Sequence, residues 1–461
     1  MSRRPPITYN VWGHQTIPPP QPTHPYNLHP EWLTQDHTGA KWAGDSVTAG
    51  NYQLDQGHPE VQKHLFDVTM DILTRYDVDG IHLDYIRYSD HRSSLNNQPW
   101  GYNPVSLARF KRLRNIASTP APGDPTWLQW RRDQVTALVR KIYLNALRVK
   151  PGVRISAALI TYGTAPSDLT LAAWQAKEAY GRTLQDWRAW MEEGILDLAC
   201  PMIYRTSNSN FSGWSDFMKE RQYNRAGAAG MGWYLNTVDN TIAQIGIARA
   251  KSPGGRTLSG VIGYSYAVPN NESLSQDATW AALVAGPFQS TVSPPAMPWK
   301  TDFSRGHLLG YVSDLKTNGS LDGAIIQLTG PISRQLTTDA TGFFGAVDLP
   351  VGTYTATLNQ PGYEPVTQVV TVTGATVAQQ SVSIKMIPLE FTSVQRDTAP
   401  ARLDVRWNSV PNRTYRVEGT NNLRDWVVIV SGLPATGAST RYQWTLPPLW
   451  NKQSYIRVIE E

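Results

Sequence analysis

YDVDGIHLDYIRY, residues 76–88, decides how the rest of the chain reads. A helix-like run, HPEVQKHLFDVTMDILTRY, leads into it, and residues 80–86 have the alternation of a β-strand. Successive side chains on a strand point to opposite faces, so Ile81 and Leu83 share one face while His82 and Asp84 share the other. An apolar face set against a polar one that ends in loop residues suits the C-terminal mouth of an α/β barrel. Residue types alone leave Asp84 open. It fits a site carboxylate, a cap for the next helix, or a buried ion pair with Arg87.

The same rhythm repeats outward from this stretch. ITYNVWG (7–13), VRISAALIT (153–161), ILDLACPMIY (195–204), AGAAGMGWYL (226–235) and GVIGYSY (260–266) read as further strands. Helical spacing occupies residues 59–75, 105–117, 126–149, 171–194, 214–221 and 241–250. Strands alternating with helices in this way imply βα units and a parallel sheet. The count is six strands, whereas a closed barrel of this type has eight. Between the first two lies IPPPQPTHPYNLHPEWL, too rich in proline for long regular structure and therefore a loop.

Beyond residue 285 the composition changes. Residues 286–305, ending PFQSTVSPPAMPWKTDFSR, form a Pro-rich linker. Residues 306–387 and 388–461 are short alternating runs broken by turn signals, and each reads as a small all-β sandwich. Neither contains a cluster of acids, histidines or cysteines that points to chemistry. They read as spacers, adhesion modules or carbohydrate binders.

The 461 residues include 41% hydrophobic and 17% charged residues, a globular composition large enough for several cores. A net charge of only +5, with lysines and arginines scattered, is no footprint for nucleic acid. No apolar run approaches the ~20 residues that span a bilayer. The single cysteine, Cys200, excludes intrachain disulfides and cysteine metal clusters. The 17 tryptophans and 21 tyrosines offer flat rings for sugars as well as for the core. His14, His24, His29, His37 and His58 crowd the N-terminal part without metal-ligand spacing to an acid, so no metal or other cofactor is expected. The opening MSRRPPITYN has no apolar core after its arginines and does not read as a signal peptide.

HPEWL, LDQGHPEV, YDVDGIHLDYIRY, LQDWRAWMEEGILDLACPMIY and GYSYA occur in that order within residues 1–285. Together they resemble the glycosyl hydrolase-like 10 family. The resemblance implies a TIM-type barrel that hydrolyses glycosidic bonds of polysaccharides, some members acting on peptidoglycan strands stripped of their peptides. GYVSD, DATGFFGAVDLPVGTYT and GYEP resemble carboxypeptidase regulatory-like repeats, and YRVEGTNNLRDW is similar to fibronectin type III-like domains. Family members have about two βα units ahead of the segment matching residues 7–13. The expectation is therefore a start further upstream, with those strands and any signal peptide, and an extracellular, periplasmic or cell-surface location.

Glycoside hydrolysis ordinarily uses two carboxyl groups flanking the bond. Asp84 is expected as the nucleophile or cation stabiliser, held ionised by a hydrogen bond from His82 and by Arg87 if that side chain turns inward. Its expected partner is Asp186, within the family motif, although an Asp at a helix start also serves as an ordinary cap. Asp79 and Asp197 stand at strand openings and read as structural, while Asp168 and Glu31 are weaker loop candidates. Trp12, Tyr85, Tyr162, Tyr204, Trp233 and Tyr266 fall where strands give way to loops and are expected to line the cleft. Asn236 and Arg205 are expected to bind hydroxyls. The expected partner is a glycan, with no nucleic acid and no membrane-spanning segment. The alternative reading is a non-catalytic carbohydrate-binding or surface scaffolding protein.

Overall fold

His58-Pro59, Asn103-Pro104 and Asp124-Pro125 each open a helix. In every case the first side chain accepts a backbone N–H of the first turn, while the proline sits where no N–H is needed. The computed structural model describes residues 19, 21–41, 53–398, 401–411, 413–450 and 455–461. The three helices are α1 (Pro59–Arg75), α2 (Pro104–Arg114) and α3 (Pro125–Val149). They are followed by α4 (Trp187–Glu193), α5 (Asn208–Glu220), α6 (Val238–Arg249) and α7 (Gln276–Ala285).

Five parallel strands lie among them: β1 (Gly80–Leu83), β2 (Arg154–Leu159), β3 (Leu198–Ile203), β4 (Ala226–Gly232) and β5 (Gly260–Tyr264). Their order in the sheet is the order of the chain. A doubly wound sheet reverses direction at a switch point, so this sequential order describes a singly wound, curling sheet. The strand expected over residues 7–13 lies outside the described residues.

The helix expected over 171–194 is broken into three short pieces, Leu171–Gln175, Glu178–Gly181 and α4. The break has a tertiary cause. Leu184 adopts a left-handed φ of 53°, and the Gln185 side chain then accepts from Ile160 N and donates to the carbonyls of Ile86 and Ala158. It thereby satisfies backbone groups where β1 and β2 end.

The sheet's two faces differ. Ile81, Leu83, Ile155, Ala157, Leu159, Ala199, Ile203, Ala229 and Met231 belong to the large apolar core shared with the helices. Residues of the opposite parity meet across the ladders as His82–Ser156–Leu198, Ala158–Cys200, Met202–Gly230–Ile262 and Gly232–Tyr264. This second face is partly open and becomes polar and aromatic toward the strand ends.

After the parallel sheet come four all-β sheets. The first pair contains β6 (Arg305–Asp314), β7 (Ile325–Thr329), β8 (Arg334–Thr337), β9 (Phe343–Pro350), β10 (Gly352–Leu358), β11 (Val366–Val372), β12 (Val377–Gln379) and β13 (Val382–Ile384). One sheet runs β11-β10-β7-β8; the other is built on β6, flanked by β12, β13 and β9. Both contribute to one core, through Leu308, Val312 and Phe344 on one side and Ile326, Leu328 and Tyr354 on the other. The last pair is β14-β15-β18 and β17-β16-β19, spanning β14 (Phe391–Thr398), β15 (Ala401–Asn408), β16 (Thr414–Thr420), β17 (Val427–Pro434), β18 (Ser439–Thr445) and β19 (Tyr455–Glu460). Its core centres on Val405, Trp407, Tyr415 and Val417.

The first β unit is seated firmly on the helical layer. Leu309, Phe343 and Val347 join the large core. Asp322 receives Arg109 at 2.8 Å and Arg112 at 2.6 Å, and Asp348 receives Arg225 at 3.0 Å.

Candidate active site

At the end of β1 the polar residues named from the sequence come together with a different set of partners. His82 Nδ1 lies 2.9 Å from Ser156 Oγ, its cross-strand neighbour. The hydrogen bond expected from His82 to Asp84 is not formed. Residues two apart on a strand are separated by roughly 6.5–7 Å along the chain, whereas a ladder neighbour is directly opposite. Burial lowers the His82 pKa, against the opposing charge of Asp84.

Asp84 is half-buried, and its Oδ1 accepts from Tyr85 N at 2.8 Å. That bond fixes Tyr85 at a φ of 53°, a left-handed conformation costing a non-glycine residue about 1 kcal/mol. Strain of this kind persists where surroundings over-determine it, commonly at sites. Here it ends the strand abruptly and turns the chain at Asp84. The expected ion pair with Arg87 is absent. The Arg87 carbonyl is fixed by Gln53 Nε2 and Gln56 Nε2, both at 3.0 Å, and the guanidinium lies 4.3 Å over the Tyr85 ring. Beside it, Tyr162 donates its hydroxyl to Asp90 Oδ2 at 2.9 Å, and Arg182 donates to the Asp90 carbonyl. Asp90 is a carboxylate at this mouth that the sequence reading did not single out.

The neighbouring strand ends supply rings. Tyr204 and Tyr264 stack with centroids 5.4 Å apart and planes 12° from parallel. Tyr234 stands edge-on to both, at 6.3 and 5.9 Å. Tyr264 is 53% exposed and Tyr234 is 38% exposed. Burial raises the Tyr204 hydroxyl pKa well above its ordinary value, and the charges of Tyr264 and then Asp84 add to the effect. Tyr266 is exposed and stacks on Trp280 at 5.5 Å.

Several expected residues sit elsewhere. Trp233 is 8% exposed and packs on Trp280, with Gly263 so close that a Cβ there would collide with its ring. It is a core ring, and Tyr234 beside it is the one that faces out. Asn236 is buried, its amide donating to the carbonyls of Arg205 and Gly232 at 3.0 and 2.7 Å, which leaves it holding a loop rather than a ligand. Arg205 likewise donates to the carbonyls of Thr161 and Gly163.

Asp186 is the N-cap of α4. Its Oδ1 accepts from Ala189 N at 3.3 Å and from Trp174 Nε1 at 2.7 Å. Burial raises its pKa, and the opposing charges near it are Arg132 and Arg188 in the helical layer. Asp84 and Asp186 share no hydrogen-bond partner. Glu31 pairs with His29 at 3.1 Å, and Asp168 caps Thr170 N at 2.7 Å. Trp12 lies outside the described residues.

A singly wound βα sheet with a carboxylate, a histidine and a tyrosine cluster near its strand ends places polar groups where α/β folds of this kind carry their sites. The comparison with known families makes this specific: the glycosyl hydrolase-like 10 model matches residues 6–244, and the chain belongs to that family. A carboxypeptidase regulatory-like domain matches residues 307–385. Among curated proteins, the chain is similar to "Glycosyl hydrolase DigH" of Escherichia coli (strain K12). The two are 26% identical over 192 residues, 40% of this chain and 36% of that protein. It is also similar to "Glycosyl hydrolase YngK" of Bacillus subtilis (strain 168), 25% identical over 202 residues, 41% of this chain and 36% of the other. The chain thus spans about a third of the length of these relatives. Among solved structures, the Bacillus anthracis TIE protein matches at 17% identity over 31% of this chain and 26% of its own, with a TM-score of 0.19.

Proposed function

We propose that this chain hydrolyses glycosidic bonds of a polysaccharide, with Asp84 as the carboxylate at the reacting centre. One observation carries the reading. Asp84 leaves β1 at a strained turn on the open face, within electrostatic reach of Tyr204, where three tyrosine rings gather. Membership of a glycosyl hydrolase-like family supports it. In this reading the five-stranded sheet is part of a TIM-type barrel, Asp84 acts as nucleophile or cation stabiliser, and Tyr204, Tyr234 and Tyr264 hold a sugar ring. The second carboxyl group is Asp90, presented to the mouth by Tyr162, or Asp186, whose raised pKa suits an acid but whose oxygen caps a helix.

The substrate proposed is bacterial cell-wall glycan, peptidoglycan strands without peptides, and the location extracellular, periplasmic or cell-surface. The sheets over residues 391–460 serve as a fibronectin type III-like module. The test is reducing-end release from peptide-free peptidoglycan strands and a polysaccharide panel, with Asp84→Asn alongside. Asp84→Asn is expected to lose at least about a hundredfold, the scale of a lost general acid–base or nucleophilic role. Full activity in that variant removes Asp84 from the centre. Glycan binding with no cleavage by the wild type favours a non-catalytic carbohydrate-binding protein instead.

A further inference from the structure

Between the helical layer and the first β unit lies a cleft of about 640 Å³, none of whose walls belongs to the site at the strand ends. That volume is in the range of ligand sites, which favour the seams between units. One wall is a face of α3, where Trp130, Asp133, Ala137 and Arg140 recur at steps of three and four residues. Another is β8 and its continuation, since every residue from 334 to 339 lines the cleft.

β8 ends its sheet, in the order β11-β10-β7-β8. Its ladder to β7 shows which backbone groups are already paired. Thr338 N donates to the Ala324 carbonyl at 2.9 Å, and Gly323 N donates to the Thr338 carbonyl at 3.1 Å. In an antiparallel pair this inward parity recurs at every second residue, here Leu336 and Arg334. Gln335 and Thr337 therefore turn their N–H and C=O groups outward, and these have no hydrogen-bond partner among the described residues. Proteins usually blunt such an edge with proline, lysine or a bulge, or cover it. RQLT holds neither residue, its register against β7 is unbroken, and the cleft keeps α3 off it. Arg334, its one charge, is tied back to the Val347 carbonyl at 3.3 Å.

Most other charges in the cleft are committed as well. Arg109 pairs with Asp322 and Arg140 with Glu193, while Asp339 accepts Thr341 N and Phe343 N of its own turn. Two are not. Asp133 accepts one hydrogen bond, from the Gln129 amide at 2.8 Å, and neither it nor Arg114 forms an ion pair among the described residues. The protein crowded around Asp133 raises its carboxyl pKa, against the Gln129 bond and the charges of Arg132, Arg140 and Arg114. One free acid and one free base complement a ligand that carries both signs. Outward N–H and C=O groups at every second residue match another extended backbone, which no sugar or compact ion reproduces.

We infer that this cleft binds an extended peptide, which adds as a strand to the free edge of β8 and sets one basic and one acidic side chain against Asp133 and Arg114. The site is separate from the proposed glycosidase centre and stands whether or not a glycan is cleaved.

The probes are two fluorescent pentapeptides, Val-Lys-Val-Glu-Val and Val-Glu-Val-Lys-Val, which allow for either strand direction. Each is titrated into the full chain beside a fully N-methylated version that keeps the side chains and loses every backbone donor. At least one is expected to bind about tenfold or more tightly than its N-methylated form, the scale of two backbone hydrogen bonds. Gln335→Pro removes an outward N–H at an edge position and leaves the β7 ladder alone, so it should erase that margin without lowering the melting temperature. If it does lower it, the N-methylated comparison carries the test. Asp133→Asn should weaken the better peptide by about three- to fivefold, the range of an accessible ion pair. Amide exchange at Gln335 and Thr337 should be fast in the chain alone and slowed by that peptide. The inference is overturned if neither peptide binds, if N-methylation or Gln335→Pro changes nothing, or if those two amides are protected without ligand. Equal binding of Val-Gln-Val-Gln-Val overturns the assignment of Asp133 and Arg114. Protection by chitotetraose in place of the peptides makes the cleft a saccharide subsite and ends the peptide reading.

Discussion

Asp197 and Lys300 meet at 2.8 Å with their side chains 0% and 6% exposed, at the base of the parallel sheet. Asp197 opens the segment into β3 and receives three further groups: Ile155 N at 2.8 Å, Trp299 Nε1 at 2.7 Å and the Tyr143 hydroxyl at 3.2 Å. Lys300 also donates to the Val153 carbonyl. The proline-rich stretch before the β sheets is therefore fastened into the floor of the α/β unit by Trp299 and Lys300. This is the end of the sheet opposite Asp84, which agrees with a structural rather than a chemical role for Asp197.

Removing one partner of such a pair leaves the other charge buried. Lys300→Met is expected to destabilise the chain by roughly 3 kcal/mol, near the lower bound for broken buried pairs because Asp197 keeps its other donors. Denaturant unfolding of the intact chain measures it. A change under ~1 kcal/mol would show that the linker is not held by this pair.

Acid should loosen the same junction through His307. Its Nδ1 accepts from Asp348 N at 3.2 Å, which requires the neutral ring, and burial pushes its pKa down to about 4, against the partial opposition of the Asp348 carboxylate. The unfolded chain then binds the proton more readily than the folded one. The stabilisation is fully present above about pH 6.5 and is lost as pH falls toward 4, by ~1.4 kcal/mol per unit at most. Melting temperatures from pH 7 to 4.5 should therefore fall more steeply for the wild type than for His307→Gln. Parallel slopes would show that other groups dominate.

The parallel sheet was legible because each strand is a short apolar run and each helix starts at a recognisable cap, as at Asp124-Pro125. Tertiary effects hid the rest. The period of residues 171–194 gives no sign that the Gln185 side chain will satisfy strand-end backbone groups and break the helix. Sequence shows neighbours along a strand and so suggests His82 with Asp84, whereas the partner found, Ser156, is a neighbour across it. Trp233 is expected in the cleft from its place at a strand end, but period-2 parity stops at Gly232, where a tight 3-10 turn buries Trp233 and leaves Tyr234 facing out. Tyr264 was accessible to the same parity argument, since it alternates with Ile262 and Gly260 on the open face.

Asp186 can be assigned by choice of substituent. Asparagine caps a helix about as well as aspartate, whereas alanine forfeits about 1 kcal/mol. If Asp186 positions α4, Asp186→Asn should keep activity within about threefold of wild type, and Asp186→Ala should lose roughly 1 kcal/mol in unfolding experiments. A hundredfold fall in kcat for a stably folded Asp186→Asn would instead make it the proton donor, in keeping with the raised pKa that burial gives it.

The tyrosine cluster separates binding from packing by exposure. Tyr264 shows more than half its surface, so truncating it to alanine should cost little stability, under ~1 kcal/mol, while removing an outer face from the proposed sugar platform. Tyr204 lies beneath it and is half-buried, so Tyr204→Ala should lower both stability and binding. The expected outcome for Tyr264→Ala is a KM raised by about five- to tenfold at a near-constant kcat, the pattern of lost uniform binding. Thermal melting run beside the kinetics makes the comparison decisive. An unchanged KM in a folded Tyr264→Ala would remove the stacked pair from the substrate path and leave Asp84 facing a different wall.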